Sequence, residues 1–198
     1  MRGRLPRTAP SASSSDVTTA VVAVHYQNDV VHPEGKIRAG TGVVETAARL
    51  LDGARRRGWP VVSARVVLPE DGGVRNSSMF RRAAETGAVR EGTWGAEFHE
   101  RLQPLPGEPV VTHSRINAFY GSELERVLDE LGARRVVVAG VATHSAVEHT
   151  ARHAADVGYE VVVASDACAA GDPELHAASL RSLALHVDRV ATVDEILA

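Results

Sequence analysis

The stretch "VVAVHYQNDVVHPEG", Val21–Gly35, changes character abruptly at His25. Apolar residues, most of them valine, precede this histidine, and polar residues with a Pro-Glu-Gly turn follow it. A short apolar run that is rich in β-branched residues and closed by turn residues is typical of a buried β-strand. The pattern therefore predicts a buried strand that places a histidine side chain at its C-terminal end.

Valine-rich runs of this kind alternate along the chain with amphipathic stretches. Strands are predicted over "TAVVAVHY" (Thr19–Tyr26), "WPVVSARVVL" (Trp59–Leu68), "EPVVTH" (Glu108–His113), "RRVVVAGV" (Arg134–Val141) and "YEVVVASDA" (Tyr159–Ala167). Helices are predicted over residues 42–58, 122–132, 144–158 and 173–187, and a short strand with a helical turn over 188–198. Buried strands separated by helices indicate an α/β fold, a three-layer α/β/α arrangement around a central parallel sheet of about six strands.

Two segments fall outside this alternation. Residues 1–17 are rich in proline, serine and alanine and lack the apolar core of a secretory signal, so we predict a disordered tail ahead of one domain over residues 18–198. Residues 69–107 show no clear periodicity. An excursion of this length in a compact α/β domain is usually a lid or a subunit contact.

Composition narrows the class of protein. The hydrophobic content of 44% and the length of 198 residues suit one globular domain. A net charge of −3 gives no electrostatic reason to expect a nucleic acid or an anionic membrane as partner, and no apolar run approaches the roughly 20 residues that span a bilayer. The single cysteine, Cys168, allows no intrachain disulfide and favours a reducing compartment, so a cytoplasmic protein is expected.

The ligand site of such a sheet lies beyond the carboxyl ends of the strands, where the strand order reverses. The residues to consider are therefore His25, His113 and the loop "GVATHSA", Gly140–Ala146, which follow the first, third and fourth predicted strands. Histidine has an ordinary pKa near neutrality and both gives and takes protons. Two histidines at strand ends thus indicate a functional role rather than ordinary core filling. The alternative is that both are uncharged walls of a pocket that hydrogen-bond each other or a loop carbonyl.

Five segments together resemble the isochorismatase-like cysteine hydrolases, the superfamily of nicotinamidases, N-carbamoylsarcosine amidases and isochorismatases. They are "HYQNDVVHPEG", "EGTWGAEF", "RINAFYGSELERVLDELG", "GVATHSAVEHTARHAADVGY" and "SDACAA", and the resemblance covers nearly everything after residue 18. It implies an aspartate, a lysine and a cysteine whose thiolate attacks a carbonyl carbon. It also implies a cis peptide bond between Val141 and Ala142 that helps to form an oxyanion hole, and a homodimer or larger homo-oligomer.

All three catalytic positions of that superfamily are changed in this chain. His25 stands where a "VDMQND" pattern has aspartate, His113 stands six residues before the phenylalanine in the place of lysine, and Ala146 replaces the cysteine that follows "GVATxx". A methyl group is not a nucleophile, so covalent catalysis at Ala146 is excluded. The resemblance leaves His25 and His113 as catalytic residues. The substrate-binding residues that it implies are Tyr26, Gln27, Trp94, Phe119, Val141, Ala142, Thr143, His144 and Ala146.

One branch of the superfamily lacks the cysteine and hydrolyses a vinyl ether, with a small residue beside a histidine. His144, followed by Ser145 and Ala146, is similar to that arrangement. In that branch an aspartate protonates the enol ether, so His25 would assume its role.

Alternatives remain for the nucleophile and for a metal. Cys168 would be a replacement nucleophile if it were reactive, but a buried structural thiol explains it equally. His25, His113 and His144 would form a zinc site if their rings converged. The metal site of the superfamily is not expected, because "VVLPEDGG" after the second strand contains no histidine, and we predict no metal and no cofactor.

Two hypotheses for function follow. The first is an enzyme that uses histidine acid–base chemistry, as a non-covalent hydrolase or a lyase, on a small metabolite. The second is a non-catalytic member of the fold that binds a small molecule or acts as an assembly partner.

Overall fold

A six-stranded parallel sheet forms the centre of the computed structural model, which describes residues 18–40, 42–69 and 77–198. The strands are β1 (Thr19–Val24), β2 (Val61–Val66), β3 (Val110–His113), β4 (Arg135–Val141), β5 (Glu160–Ala169) and β6 (Arg189–Ala191). Their order is β3-β2-β1-β4-β5-β6, so it reverses between β1 and β4. Every neighbouring pair is parallel, which confirms the predicted fold class and the number of strands.

Helices cover both faces of this sheet. They are α1 (Asn28–Val31), α2 (Val44–Arg56), α3 (Ser78–Thr86), α4 (Leu124–Glu130), α5 (Glu148–Val157), α6 (Pro173–Leu183) and α7 (Val193–Leu197). Shorter turns add 3₁₀ segments at Trp94–Ala96 and Glu100–Leu102 and a π-helical turn at Thr143–Val147. None of the helices in the described ranges has the length and apolar character that a membrane-spanning segment requires.

The strand β1 is buried on both faces, as its valine-rich sequence predicts. Successive side chains of a strand point to opposite faces, so Val21 packs with α2 on one side while Val22 packs with α4 and α5 on the other. Two apolar clusters result, one above and one below the sheet. This double burial is what a parallel sheet between two helical layers requires.

The excursion of residues 69–107 is more regular than the sequence indicates. It contains α3, whose Phe80 and Ala83 pack against the apolar cluster beside α2, and which ends at Gly87 in a left-handed conformation with φ of 63°. A glycine in that conformation is a common helix end. The predicted disordered tail, residues 1–17, lies outside the described residues.

Asp29 ties this excursion to the loop after β1. Its Oδ1 accepts a hydrogen bond from the backbone N–H of Lys36 at 3.0 Å, and its Oδ2 accepts one from that of Val89 at 2.7 Å. The side chain is buried, so both donors depend on this carboxylate.

We expect Asp29→Ala to lower the free energy of unfolding by about 3 kcal/mol, because two main-chain donors lose a charged acceptor. Urea denaturation at neutral pH measures the loss. The control is Asp194→Ala, which breaks an ion pair with Arg49. The side chains of Asp194 and Arg49 are 83% and 54% exposed, so this change should lower the free energy of unfolding by no more than about 0.5 kcal/mol. Equal losses in the two variants would contradict the assigned role of Asp29.

Candidate active site

Two histidine rings meet at the carboxyl edge of the sheet. His25 follows β1 and His113 ends β3, and their Nε2 atoms lie 2.9 Å apart. The ring centroids are 4.9 Å apart with an angle of 27° between the planes. The two residues are 6% and 4% exposed. The structure therefore brings together the two side chains that the sequence predicts as catalytic.

His25 has an unusual backbone conformation at the point where the chain leaves β1. Its φ of 58° lies in the left-handed region, which residues with a Cβ rarely adopt. The N–H of His25 still donates to the carbonyl of Ala64 on β2 at 2.9 Å. Strained backbone of this kind is concentrated at functional sites, and here it occurs at the first member of the pair.

Burial lowers the pKa of both rings. For His25 the pKa falls well below the ordinary value of 6.5, first because of burial and then because of the neighbouring His113, while a hydrogen bond with the Val141 backbone opposes the change. For His113 burial lowers the pKa to about 4, and the Arg115 backbone opposes the change. Both rings are therefore neutral at pH 7.

The direction of the hydrogen bond between the two Nε2 atoms depends on the tautomer of each ring. A backbone hydrogen bond with Val141 favours the protonated form of His25, and one with Arg115 favours that of His113. The buried Nδ1 of His113 has no hydrogen-bond partner of good geometry among the described residues.

The loop after β4 lies next to this pair. The peptide bond between Val141 and Ala142 is cis, as the resemblance implies, and the π-helical turn Thr143–Val147 follows. The Thr143 hydroxyl is 2.8 Å from Nδ1 of His176 on α6. Ala146 is buried in the apolar cluster that packs Val22 against α4 and α5. A methyl group therefore fills the predicted nucleophile position.

Two predicted substrate-binding residues have their polar atoms engaged with the main chain. The Tyr26 hydroxyl donates to the carbonyl of Ala167 at 2.5 Å. The Gln27 Nε2 donates to the carbonyls of Val66 and Ala96, and its Oε1 accepts from the N–H of Val66. These side chains hold the scaffold around the pair, and contact with a substrate stays a prediction.

The two aromatic residues that were predicted to bind the substrate beside Tyr26 lie in two different places. Trp94 is 47% exposed and stands edge-on to His32, with ring centroids 5.1 Å apart. Phe119 is buried and stacks on His153 at 4.6 Å. Sequence reasoning missed a third aromatic contact, the guanidinium of Arg115 5.0 Å above the ring of Phe80, which joins α3 to the loop after β3.

The three-histidine zinc site does not form. His144 is exposed at the start of the loop after β4, whereas His25 and His113 are buried. In the ranges that the structure describes, no three His, Cys, Asp or Glu side chains are grouped closely enough to hold a metal ion. In those ranges the two histidines are therefore not part of a three-residue ligand set.

Cys168 has the environment of a structural thiol. It is 5% exposed on β5, opposite Gly140 of β4, and burial raises its pKa to about 12. A thiol with such a pKa is almost wholly protonated at neutral pH, and the thiolate is the nucleophile. The burial and the raised pKa therefore favour the structural thiol over a catalytic Cys168.

We expect Cys168 to be inert in the folded protein. A disulfide reagent such as dithiobis(nitrobenzoate) should react with the thiol only as fast as the protein unfolds, and should react completely in denaturant. Rapid reaction of the native protein would contradict a raised pKa and a buried thiol.

Comparisons with known proteins agree with this geometry. The family model described as "Isochorismatase domain" matches residues 19–195. A protein of Arabidopsis thaliana named "Probable inactive nicotinamidase" is 32% identical over 171 residues, which cover 82% of this chain and 86% of the relative. An "Uncharacterized isochorismatase family protein" of Escherichia coli O157:H7 is 29% identical over 180 residues, 91% of this chain and 95% of the relative.

Among solved structures, an isochorismatase family protein from Desulfovibrio vulgaris subsp. vulgaris str. Hildenborough has a TM-score of 0.84 and 30% sequence identity. The match covers 92% of this chain and 99% of that protein. The similarity therefore extends over the sheet, its helices and the loops at the carboxyl edge.

Proposed function

Because this chain belongs to the isochorismatase family, we propose that it is a hydrolase or lyase of a small metabolite in which His25 and His113 transfer the proton and no covalent intermediate forms. The observation that carries this proposal is the 2.9 Å contact between the two Nε2 atoms at the carboxyl edge of the sheet. The family fold is otherwise intact, while Ala146 and the protonated Cys168 leave no nucleophile at either position.

The pair has the parts of a general acid–base catalyst. Its neutral form holds two protons on four ring nitrogens, and the buried Nδ1 of His113 has no hydrogen-bond partner of good geometry among the described residues. With a carbonyl substrate, the proton released when water attacks the carbonyl carbon would enter the pair and would then go to the leaving group. With an enol ether, the pair would first protonate the vinyl carbon and would then regain the proton released as water adds to the oxocarbenium carbon, and the hemiketal formed would release the alcohol. Water is the nucleophile in this scheme, so the chain needs no thiolate.

A second candidate is a binding protein without catalytic activity. The features that favour it are the alanine at the predicted nucleophile position, the near-complete burial of both rings, and the name of the Arabidopsis relative. In this candidate the pair forms the floor of a ligand pocket.

Turnover by purified protein distinguishes the two candidates. A panel of small amides, ureas and enol ethers is incubated with the wild type, and products are detected by mass spectrometry. His25→Gln and His113→Gln should each reduce turnover by roughly 10²- to 10⁴-fold, the usual contribution of a general acid or base. The matched control is His186→Gln, an exposed histidine after α6.

Three results have separate meanings. Full turnover by both His25→Gln and His113→Gln would contradict the proposed mechanism. An adduct on the intact protein during turnover would contradict the absence of a covalent intermediate. Binding without conversion, lost in His25→Gln, would establish the second candidate.

The cytoplasmic location and the homodimer or larger homo-oligomer remain part of this proposal. The location rests on the single buried cysteine, and the assembly rests on the family resemblance. Sedimentation velocity of the full chain tests the assembly.

A further inference from the structure

One face of α6 holds the first residue of the π-helical turn in the loop after β4. That residue, Thr143, is fully buried, and its hydroxyl lies 2.8 Å from Nδ1 of His176. The hydroxyl of Ser179 lies 3.2 Å from the Thr143 carbonyl and donates to it. Residues three apart on a helix are neighbours on one face, so His176 and Ser179 reach Thr143 from the same side. The side chain and the main chain of Thr143 are therefore both attached to α6.

The two contacts are not of equal strength. The Ser179 hydroxyl has one proton, and Oε2 of Glu148 competes for it at 2.7 Å. Burial opposes the ionisation of Glu148, but hydrogen bonds from Ser179 and Arg152 outweigh that effect and lower its pKa. A hydrogen bond to a carboxylate is roughly twice as strong as one to a neutral acceptor, so the hydroxyl proton goes mainly to Glu148. His176 is thus the main contact between α6 and Thr143.

The Thr143 hydroxyl depends on this contact. A buried hydroxyl without a hydrogen bond costs free energy, and its partner among the described residues is His176. Burial lowers the pKa of His176, so the ring is neutral at pH 7. A neutral ring either accepts the hydroxyl proton at Nδ1 or donates its own, so both tautomers keep the bond. Removing the imidazole should therefore free the Thr143 side chain and shift the start of the turn.

The same loop contacts the histidine pair through the residue before the turn. The Val141 backbone makes a hydrogen bond with His25, and Nε2 of His25 lies 2.9 Å from Nε2 of His113. Val141 and Thr143 are two residues apart, which is a span of at most about 7 Å. A shift at Thr143 is therefore transmitted through Ala142 to the main chain that contacts His25.

We propose that His176 is a positioning residue of this site. By holding Thr143, it fixes the main chain of the loop after β4 at the point where that main chain contacts His25. His176 acts through the loop, takes up no proton in the reaction and is not a catalytic residue. The inference rests on the proposed function in one respect, since the reaction that His176 supports is the one proposed for His25 and His113.

Nitrogen-15 spectra of the full chain with labelled histidine test this coupling without a substrate. His176→Ala removes the ring, whereas His176→Asn places an amide near the position of Nδ1 and keeps a hydrogen bond to Thr143. The ring signals of His25, identified by their loss in His25→Gln, should move or split in the alanine variant. They should stay at their wild-type positions in the asparagine variant. The matched control is His186→Ala, which removes an exposed histidine and should leave the His25 signals unchanged.

Removal of the hydroxyl completes a double-mutant cycle. Thr143→Val keeps the shape of the side chain, and it should displace the His25 signals as His176→Ala does. Because both changes break the same hydrogen bond, the double variant should differ little from either single variant. Displacements that add in the double variant would mean that the two residues act separately, and would overturn the inference.

Turnover gives a further test with any substrate that the panel of amides, ureas and enol ethers identifies. Misplacement of a catalytic group by about 1 Å costs about 10²-fold in rate, so His176→Ala should lower kcat by roughly 10- to 10²-fold. The KM should change less, because the displaced groups are those that transfer the proton. His176→Asn should restore most of the rate.

Unchanged His25 signals in both His176→Ala and Thr143→Val would overturn the inference, and so would an asparagine variant that behaves as the alanine variant does. Thr143→Val supplies the comparison should His176→Ala not fold. Failure of the proposed function is a distinct outcome. Displaced His25 signals without turnover of any compound would leave the positioning role and remove the enzyme. Full kcat in His176→Ala, with turnover lost in His25→Gln, would do the reverse.

Discussion

Acidification from about pH 7 to about pH 4 should destabilise the wild type by about 3 kcal/mol more than the double variant His25→Gln/His113→Gln. The pKa of His113 is 6.5 in an unfolded chain and about 4 in the folded protein. Between these two values the unfolded chain binds more protons than the folded one, so the free energy of unfolding decreases as the pH falls. The lowered pKa of His25 acts in the same direction.

Urea denaturation at several pH values measures this difference. Carboxylates and exposed histidines titrate in both proteins, so the quantity to compare is the difference between wild type and variant at each pH. The control His186→Gln should follow the wild type, since that residue is exposed. Parallel curves for the wild type and the double variant would show that burial does not lower the pKa of the pair. His113→Gln alone supplies the comparison should the double variant not fold.

Gly140→Ala should be the most damaging single-methyl change in the sheet, with a loss of more than about 4 kcal/mol or no soluble protein. A Cβ at this position would lie 2.1 Å from the carbonyl oxygen of Val24 and 2.7 Å from the Cβ of Val24. Gly140 pairs with Val24 across β1 and β4, so the obstacle is main chain in the centre of the sheet. Its φ of 149° adds strain for any residue with a side chain.

The matched control for this prediction is Gly42→Ala. A Cβ at Gly42 has no atom within 4 Å, so the change should alter the free energy of unfolding by no more than about 0.5 kcal/mol. Thermal unfolding of both variants beside the wild type is sufficient. A Gly140→Ala protein as stable as the control would mean that β1 and β4 separate more easily than their pairing indicates.

Most of the fold follows from local patterns in the sequence. Runs such as Val21–Val24 are apolar on both faces, and this property requires a sheet between two helical layers. The missed helix α3 has a physical explanation. It is short, and Phe80 and Ala83 are its contacts with the core, so its apolar periodicity is too brief to distinguish from an irregular segment.

The candidate site was partly predictable for a related reason. Parallel strands end at one edge, and this placed His25 and His113 in the same region. A hydrogen bond between the two rings was one of the alternatives that the sequence allowed, and the 2.9 Å contact agrees with it. The left-handed φ of His25 was not predictable, because nothing in the sequence marks a residue with a Cβ for that conformation. The scaffold roles of Tyr26 and Gln27 were hidden as well, since their partners Ala167 and Val66 belong to distant strands.

The amide side chain of Gln27 has a consequence for how the molecule opens. The backbone leaves β1 at His25. The side-chain amide of Gln27 then bonds both the N–H and the carbonyl of Val66, in place of the main chain of a longer β1. The same amide donates to the carbonyl of Ala96. Amide-proton exchange at Val66 should therefore be as slow as in the sheet interior, and the segment around Ala96 should exchange with the sheet as one cooperative unit. In amide exchange, the segment around Ala96 should then behave as an extension of the central sheet and not as a loop that opens by itself.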